Sequence, residues 1–351
     1  MKQQSIESKK AEIEFRRKLV QQQVEGKCIF SDECDADGIK STLNDRIKKT
    51  LEQMTSLKES GIVLSPYVEI GAERCQRSLV MENDLGATGV AVDISYDMLK
   101  SADYYKQVFN RSKIPLRICC DAYSLPFATD SIPFIFCYET LHHFPDPRPI
   151  VKEVYRVLSP GGHFFFDEEP YKKTLHINLY KGKKIHSKES LRSSKIRKIL
   201  DYFFSEKNCN EVEQGIVEND AISIGLWKQA LRFFDEKNIK LQSMKFIQSQ
   251  LFSPKSRIEF VLAYMFGGNI SGICRKFGND VDENNSVYTV LICPSCIENG
   301  NEVLLDQGSL SFLCPKCSKA FPIVDGITFL LPYAKFAELY PEIFKRFIKM
   351  T

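Results

Sequence analysis

The run Tyr67-Val68-Glu69-Ile70-Gly71 opens a relay of short apolar segments that decides the fold. Gly89-Val90-Ala91-Val92-Asp93 follows it, then Leu116-Arg117-Ile118-Cys119-Cys120-Asp121 and Phe134-Ile135-Phe136-Cys137. The turn Ser159-Pro160-Gly161-Gly162 then leads into His163-Phe164-Phe165-Phe166-Asp167. Runs this short, rich in Val, Ile and Phe, read as strands covered on both faces, and the polar stretches between them are long enough for helices. The alternation predicts an α/β protein with a mostly parallel sheet. In open sheets of that kind ligands sit outside the carboxyl ends of the strands, so Glu69, Gly71, Asp93 and Asp121 are expected to face one crevice.

Five motifs in this stretch occur in a familiar order: Val68-Glu69-Ile70-Gly71, Ala91-Val92-Asp93-Ile94-Ser95, Asp121-Ala122-Tyr123-Ser124-Leu125-Pro126-Phe127, Leu141-His142-His143-Phe144-Pro145-Asp146-Pro147 and Arg156-Val157-Leu158-Ser159-Pro160-Gly161-Gly162. With them the segment resembles a class I S-adenosylmethionine-dependent methyltransferase of the ubiquinone/menaquinone-methylase type. The resemblance implies a Rossmann-like, seven-stranded, mostly parallel sheet. It also implies S-adenosyl-L-methionine as cofactor, held around Glu69, Gly71, Ala72, Asp93, Ile94, Asp121 and Ala122. Asp93 would accept the ribose hydroxyls and Asp121 would face the adenine amino group. Read from the residues alone, Asp93 can also be a helix N-cap and Asp121 an ordinary turn aspartate.

The family's first loop is glycine-rich because the backbone must pass close under the cofactor. Here it reads Gly71-Ala72-Glu73-Arg74-Cys75, so Glu73 and Cys75 stand where glycines are usual. Either the pocket is narrowed or the loop takes another path. His142 and His143 lie just after the fourth strand, beside Glu139, where an acceptor would enter. Histidine titrates near neutrality, so either is a candidate for taking a proton from the acceptor; the alternative is a structural lip.

The second signal is Cys293-Pro294-Ser295-Cys296 followed, after seventeen residues, by Cys314-Pro315-Lys316-Cys317. Two such knuckles predict a four-cysteine structural zinc site with no open position for water; iron fits the same ligand set. Together with Ala320-Phe321-Pro322-Ile323-Val324-Asp325-Gly326-Ile327, this end resembles the Trm112-like zinc ribbons, which stabilise or activate methyltransferases.

The chain of 351 residues is long enough for a full core and an accessory module. The expected plan is an N-terminal helical extension over 1–60, a methyltransferase domain over 61–292, a zinc ribbon over 293–331 and a helical tail over 332–351. Helices are expected within 1–24 and 44–60. The late elements of the domain are placed as a helix around Ile224 to Asn238, a strand from Leu241 to Ile247, and a final antiparallel strand from Val287 to Ile292 running directly into the ribbon. The other cysteines, Cys28, Cys34, Cys75, Cys119, Cys120, Cys137, Cys209 and Cys274, are scattered. Those in strand-like runs are expected to be small buried apolar residues, and Cys28 and Cys34 to be loop residues. The start Met1-Lys2-Gln3-Gln4-Ser5 has no apolar core of a signal peptide and no apolar run approaches eighteen residues, so a cytoplasmic protein without a transmembrane segment is expected.

Residues 171–210 form an insertion the sheet does not need. Between 171 and 200, Lys172, Lys173, Lys181, Lys183, Lys184, Lys188, Arg192, Lys195, Arg197 and Lys198 face a single acid, Glu189, in a chain of net charge +3. Ile196, Ile199, Leu200, Phe203 and Phe204 are expected on one helical face, with Arg192, Lys195 and Arg197 turned away. Such a segment suits RNA phosphates, an anionic lipid surface or a phosphorylated small substrate, or is a solvated insertion. Three functions stay open: a methyltransferase acting on RNA or on a small anionic or prenylated molecule, a degenerate methyltransferase-fold scaffold, and an RNA-binding module.

Overall fold

A computed structural model describes residues 4–24, 36–177, 179–181, 194–206, 210–244, 246–279 and 286–349. Cys28, Cys34 and Cys209, and Lys183, Lys184, Lys188, Glu189 and Arg192 of the basic segment, lie outside the described residues. In chain order the strands are β1 (Tyr67–Ile70), β2 (Gly89–Asp93), β3 (Leu116–Cys119), β4 (Ile132–Tyr138), β5 (Leu158–Tyr171), β6 (Tyr180–Lys181), β7 (Ser205–Glu206), β8 (Glu236–Ser243), β9 (Ile247–Gln250), β10 (Gly268–Arg275), β11 (Asp306–Gln307), β12 (Ser311–Leu313), β13 (Ala320–Val324) and β14 (Ile327–Phe329). The helices are α1 (Ile6–Val24), α2 (Ala36–Glu59), α3 (Gln76–Asn83), α4 (Tyr96–Val108), α5 (Arg148–Val157), α6 (Lys195–Phe204), α7 (Asn210–Glu213), α8 (Ile224–Ala230), α9 (Arg257–Phe266), α10 (Pro294–Ile297), α11 (Tyr333–Leu339) and α12 (Pro341–Ile348). No described helix is long and apolar enough to cross a membrane.

Strands β1 to β5 pair in parallel in the order β3-β2-β1-β4-β5, with Tyr67 opposite both Gly89 and Phe134. Every residue of β1 and β4 is buried, as helices on both faces require, and this is why these segments read as unbroken apolar runs. The chain progresses outward from β1 to β3 and then returns to β4 on the other side. The carboxyl ends of β1 and β4 therefore splay apart into a crevice at the reversal point. The free cysteines Cys75, Cys119, Cys120, Cys137 and Cys274 are buried in the apolar interior.

The sheet differs from the expected seven strands: among the described residues it has twelve, in the order β11-β12-β13-β14-β3-β2-β1-β4-β5-β10-β8-β9. The final antiparallel strand is β10, paired with β5 and β8, and not Val287–Ile292. The β10 sequence is interrupted by Gly268 and Gly272, which weakens its strand signature. Gly272 is needed because a Cβ there would stand 2.5 Å from the Asn238 carbonyl oxygen. Val287–Val290 instead forms a 3-10 turn, and Leu291 and Ile292 make only isolated bridges to Phe127 and Leu304. The preceding strand runs from Glu236 to Ser243, earlier than Leu241–Ile247, and the helix begun at Ile224 stops at Ala230.

The cysteine-bearing end is continuous with this sheet. Strands β11 to β14 form an antiparallel meander whose last member lies parallel to β3, with Thr328 opposite Ile118 and Phe329 opposite Cys119. Phe329 is fully buried, stacks on Phe336 of α11 at 5.0 Å between ring centroids, and meets Tyr340 and Tyr96. Burying an aromatic ring of this size at a junction contributes several kcal/mol. Phe329→Ala should lower the unfolding free energy by about 3–5 kcal/mol. Urea denaturation measures this, and a loss below about 1 kcal/mol would mean that β14 is not integral to the sheet.

Candidate functional site

The crevice at the carboxyl ends of β1, β2 and β4 encloses about 820 Å³ of empty space, counting its open mouth. Gly71, Asp93, Ile94, Asp121, Ala122 and His143 line it. Gly71 has φ +68, and a Cβ there would collide with the Thr140 side chain, so both backbone conformation and space demand glycine. The loop after it keeps a glycine-like path without glycines: Glu73 has φ 47 and Cys75 φ 58. Cys75 turns its thiol into the core beside Ala72 and Leu99, whereas Glu73 points its carboxylate into the crevice. Of the two, only Glu73 narrows the crevice.

Asp93 stands at the end of β2 and is pinned by two backbone donors, Glu73 N–H at 2.9 Å and Ser95 N–H at 2.7 Å. Burial pushes its carboxyl up to about 6 in spite of those donors. The cap of α4 is Ser95, so the N-cap alternative for Asp93 does not hold. Two of the expected cofactor residues face elsewhere. Glu69 is turned toward the start of α3, where it accepts from the Ser78 N–H at 3.0 Å and from the Ser78 hydroxyl; burial pushes it up to about 7. Ala72 donates its N–H to the Val92 carbonyl and packs into the core. Period-two alternation explains Glu69: its neighbours Val68 and Ile70 occupy the opposite face of the strand.

The N-terminal helix α1 roofs the crevice, in the manner in which leading helices often cover the cofactor in the family that the sequence resembles; the contacts it makes there were not legible. Gln4, Glu12 and Arg16 line the cavity, and Lys9, almost fully buried, places Nζ 2.6 Å from Asp121 Oδ2. Lys335 of α11 approaches the same oxygen at 3.4 Å. Glu73 is clamped by Arg46 of α2 at 3.1 Å and Arg16 at 3.4 Å. Burial opposes its charge, but these guanidiniums, with Arg74 and Arg77, hold its carboxyl below the usual range. Besides these polar contacts, α1 buries Ile13, Phe15 and Leu19 against the domain.

The two histidines divide. His143 lines the crevice; His142 does not. His142 is turned onto fully buried Glu169 at the end of β5, with Nδ1 2.9 Å from Oε2. Glu169 also accepts the backbone N–H groups of Thr140, Leu141 and His142 and so fixes the whole 3-10 turn Leu141–His143. Burial opposes protonation of His142, but the Glu169 hydrogen bond and charge raise it to about 9, while burial and the neighbouring His142 push His143 well below the usual imidazole range.

At the other end, Cys293, Cys296 and Cys314 are buried and Cys317 half-buried, with all four sulfurs within 4.8 Å of one another. Cys293–Cys317 and Cys296–Cys314 are both 3.7 Å apart. A tetrahedron with sulfur ligands at the usual zinc distance has edges of about 3.8 Å, so the residues fit a closed four-thiolate ion. The module reaches the crevice through its tail: the Tyr340 hydroxyl donates to the Ile94 carbonyl at 2.5 Å and accepts from Tyr96 N–H at 3.0 Å, holding the loop that follows Asp93.

The basic helix forms as α6, with Leu200 exposed and Arg197 paired to Asp201 at 2.9 Å. Leu200 is therefore not part of a buried apolar face. The side chains of Lys195, Ile196, Lys198 and Ile199 lie outside the described residues.

Comparison with known proteins places these observations. Residues 68–166 match the family model of a methyltransferase domain. A curated relative, the uncharacterized methyltransferase YcgJ of Bacillus subtilis, is 36% identical over 75 residues, 21% of this chain, and the match spans only 29% of that relative's length. Among solved structures, YcgJ overlaps 66% of this chain and 100% of its own at 17% identity and a TM-score of 0.39. A complex between the Haloferax volcanii Trm112 methyltransferase activator and a putative methyltransferase overlaps 66% of this chain and 94% of that chain at 16% identity and a TM-score of 0.37. The family match supports a class I methyltransferase domain at the centre of the sheet.

The Lys9 and Asp121 pair bears on how α1 is held. Breaking a buried pair leaves an uncompensated charge, so Lys9→Met should destabilise the protein by about 3 kcal/mol, with Lys335 as the remaining partner of Asp121. Thermal and urea unfolding of the variant measure this, and wild-type stability would mean that α1 does not depend on the pair.

Proposed function

We propose that this chain is an S-adenosylmethionine-dependent methyltransferase of the ubiquinone/menaquinone-methylase type, with a Trm112-like zinc ribbon built into the same polypeptide. The observation that carries this reading is the meeting of the Gly71 loop, the pinned Asp93 carboxylate and Asp121 in one crevice of a matched methyltransferase domain. Gly71 leaves the backbone uncovered, Asp93 and Ile94 suit a ribose, and Asp121 and Ala122 suit the adenine. When bound, the cofactor supplies a methyl group on a sulfonium that is already activated. The protein then has mainly to align an acceptor and exclude water.

The acceptor side lies at the end of β4. Tyr138, Glu139, Thr140, His143 and Phe144 line it, and α1 and α2 close over it, Arg46 of α2 reaching Glu139 at 3.4 Å. A crevice roofed by two helices favours a small acceptor, anionic or prenylated, over an RNA base. The proposed plan is a helical cover over 1–60, a catalytic domain over 61–292 with an insertion near 171–210, a ribbon over 293–331 and a tail over 332–351, in a cytoplasmic protein. Zinc at Cys293, Cys296, Cys314 and Cys317 would be structural.

A second reading, a scaffold that does not take up the cofactor, has one observation in its favour: Lys9 occupies the Asp121 carboxylate expected to face adenine. Calorimetric titration with S-adenosylmethionine and S-adenosylhomocysteine separates the two. The enzyme reading expects micromolar binding of both, weakened about 10- to 100-fold in Asp93→Ala by loss of hydrogen bonds to a charged acceptor. No heat of binding to the zinc-loaded wild type would leave the scaffold.

A further inference from the structure

His142, His143 and Glu218 bring three metal-ligating side chains together beside the crevice, which only His143 of the three lines, away from the four cysteines. His142 Nε2 lies 3.8 Å from Glu218 Oε2, and His143 Nδ1 lies 3.2 Å from Glu218 Oε1. One donor atom from each residue falls within 4.8 Å of the other two. Nitrogen and carboxylate ligands at the usual first-row distances are separated by about 3.4 Å around a tetrahedral ion, so the observed separations bracket what an ion would impose. The three side chains are mostly buried but not sealed, and His143 also lines the cavity.

The supports around His142 are those of a metal ligand, whereas His143 Nδ1 also lies 3.2 Å from the Val217 carbonyl, a contact that an ion at this nitrogen would replace. Fully buried Glu169 receives His142 Nδ1 and thereby aims Nε2 at Glu218, the arrangement in which a carboxylate fixes the tautomer and direction of a coordinating imidazole. Glu218 sits in a loop tied to the histidine turn: Asn219 N–H donates to the His142 carbonyl at 2.8 Å and the Asn219 side chain to the Pro145 carbonyl at 3.1 Å. With Asp220 also acting on His142, three carboxylates surround two imidazoles, a field that favours a dication.

We infer that His142, His143 and Glu218 form a second metal site, one that binds a first-row divalent cation such as zinc, manganese or iron at the acceptor side of the crevice. Two imidazoles and one carboxylate suit these ions better than magnesium or calcium, which want oxygen alone, or a soft ion that wants sulfur. Only three protein ligands are supplied, so positions remain for water or an acceptor oxygen, which the ion would polarise as a Lewis acid. The site stands on its own geometry and does not require the methyltransferase reading.

The test is metal content. Full-length protein stripped of metal and dialysed against limiting zinc or cobalt should bind two equivalents per chain. With cobalt, one equivalent should show the intense thiolate charge-transfer band of the cysteine site and the other only weak ligand-field bands. Glu218→Gln and His143→Gln should each retain the thiolate-bound equivalent, which reports that they are folded, and lose the second. Glu169→Gln should weaken the second site about 10- to 100-fold. A wild type that binds one equivalent, or a second equivalent that persists in both Glu218→Gln and His143→Gln, overturns the proposal. Neither result depends on cofactor binding.

Discussion

The parallel pairing of β14 on β3 is the contact on which the rest of this structure depends. A sheet edge is a row of unpaired N–H and C=O groups, and here the edge of β3, nearest Asp121, is covered by the chain's own C-terminal module. The coverage is more than edge protection. Leu330 N–H donates to the Cys119 carbonyl, one residue before the Cys120-Asp121 pair that lines the cavity. Phe329, Phe336, Leu339 and Tyr340 then share one apolar cluster with Ala72, Cys75 and Ala91, so the loop after Gly71 and the module bury the same surface. A metal held by the four cysteines would steady the meander and, through this shared surface, act on the crevice without touching it.

Inside the crevice, charge is arranged in layers. Carboxylates stand at the strand ends, Asp93 and Asp121, and cations from the covering helices meet the acids beneath them: Lys9 and Lys335 at Asp121, Arg16 and Arg46 at Glu73. Glu73 is the unusual member. It stands at a glycine position in a left-handed conformation, which costs on the order of 1 kcal/mol, and the two guanidiniums that hold its carboxylate offset that strain. The departure from a glycine-rich loop is therefore tied to the presence of α1 and α2, which supply the arginines.

The parallel strands were legible because burial on both faces leaves little choice of residue, and Asp93, Asp121 and the cysteine knuckles because their spacing follows from geometry. What was not legible came from tertiary contacts. Lys9 meets Asp121 across 112 residues of sequence, and nothing local in α1 announces it. Strand β10 is masked by Gly268 and Gly272, which the close approach of β8 requires, while Val287–Ile292 has strand-like residues but forms a 3-10 turn and two isolated bridges. Strand β14 has only three residues, so its role in extending the sheet to twelve strands depends on the docking of a whole module. Glu169 escaped notice because Asp167, Glu168 and Glu169 are consecutive, and only the strand's path decides which of them turns toward the histidines.

If the module and the crevice are one construction, removing the metal from the four thiolates should be felt at the cofactor. The most direct measurement is the affinity for S-adenosylhomocysteine, taken by calorimetry at a temperature where the sheet stays folded, before and after zinc is extracted with a thiol-reactive reagent and a chelator. The account predicts at least a tenfold loss, about 1.4 kcal/mol, recovered when reduced protein is given zinc again. Unchanged affinity in protein shown to be free of zinc would contradict it, and would leave the module a neighbour of the crevice and not a part of it.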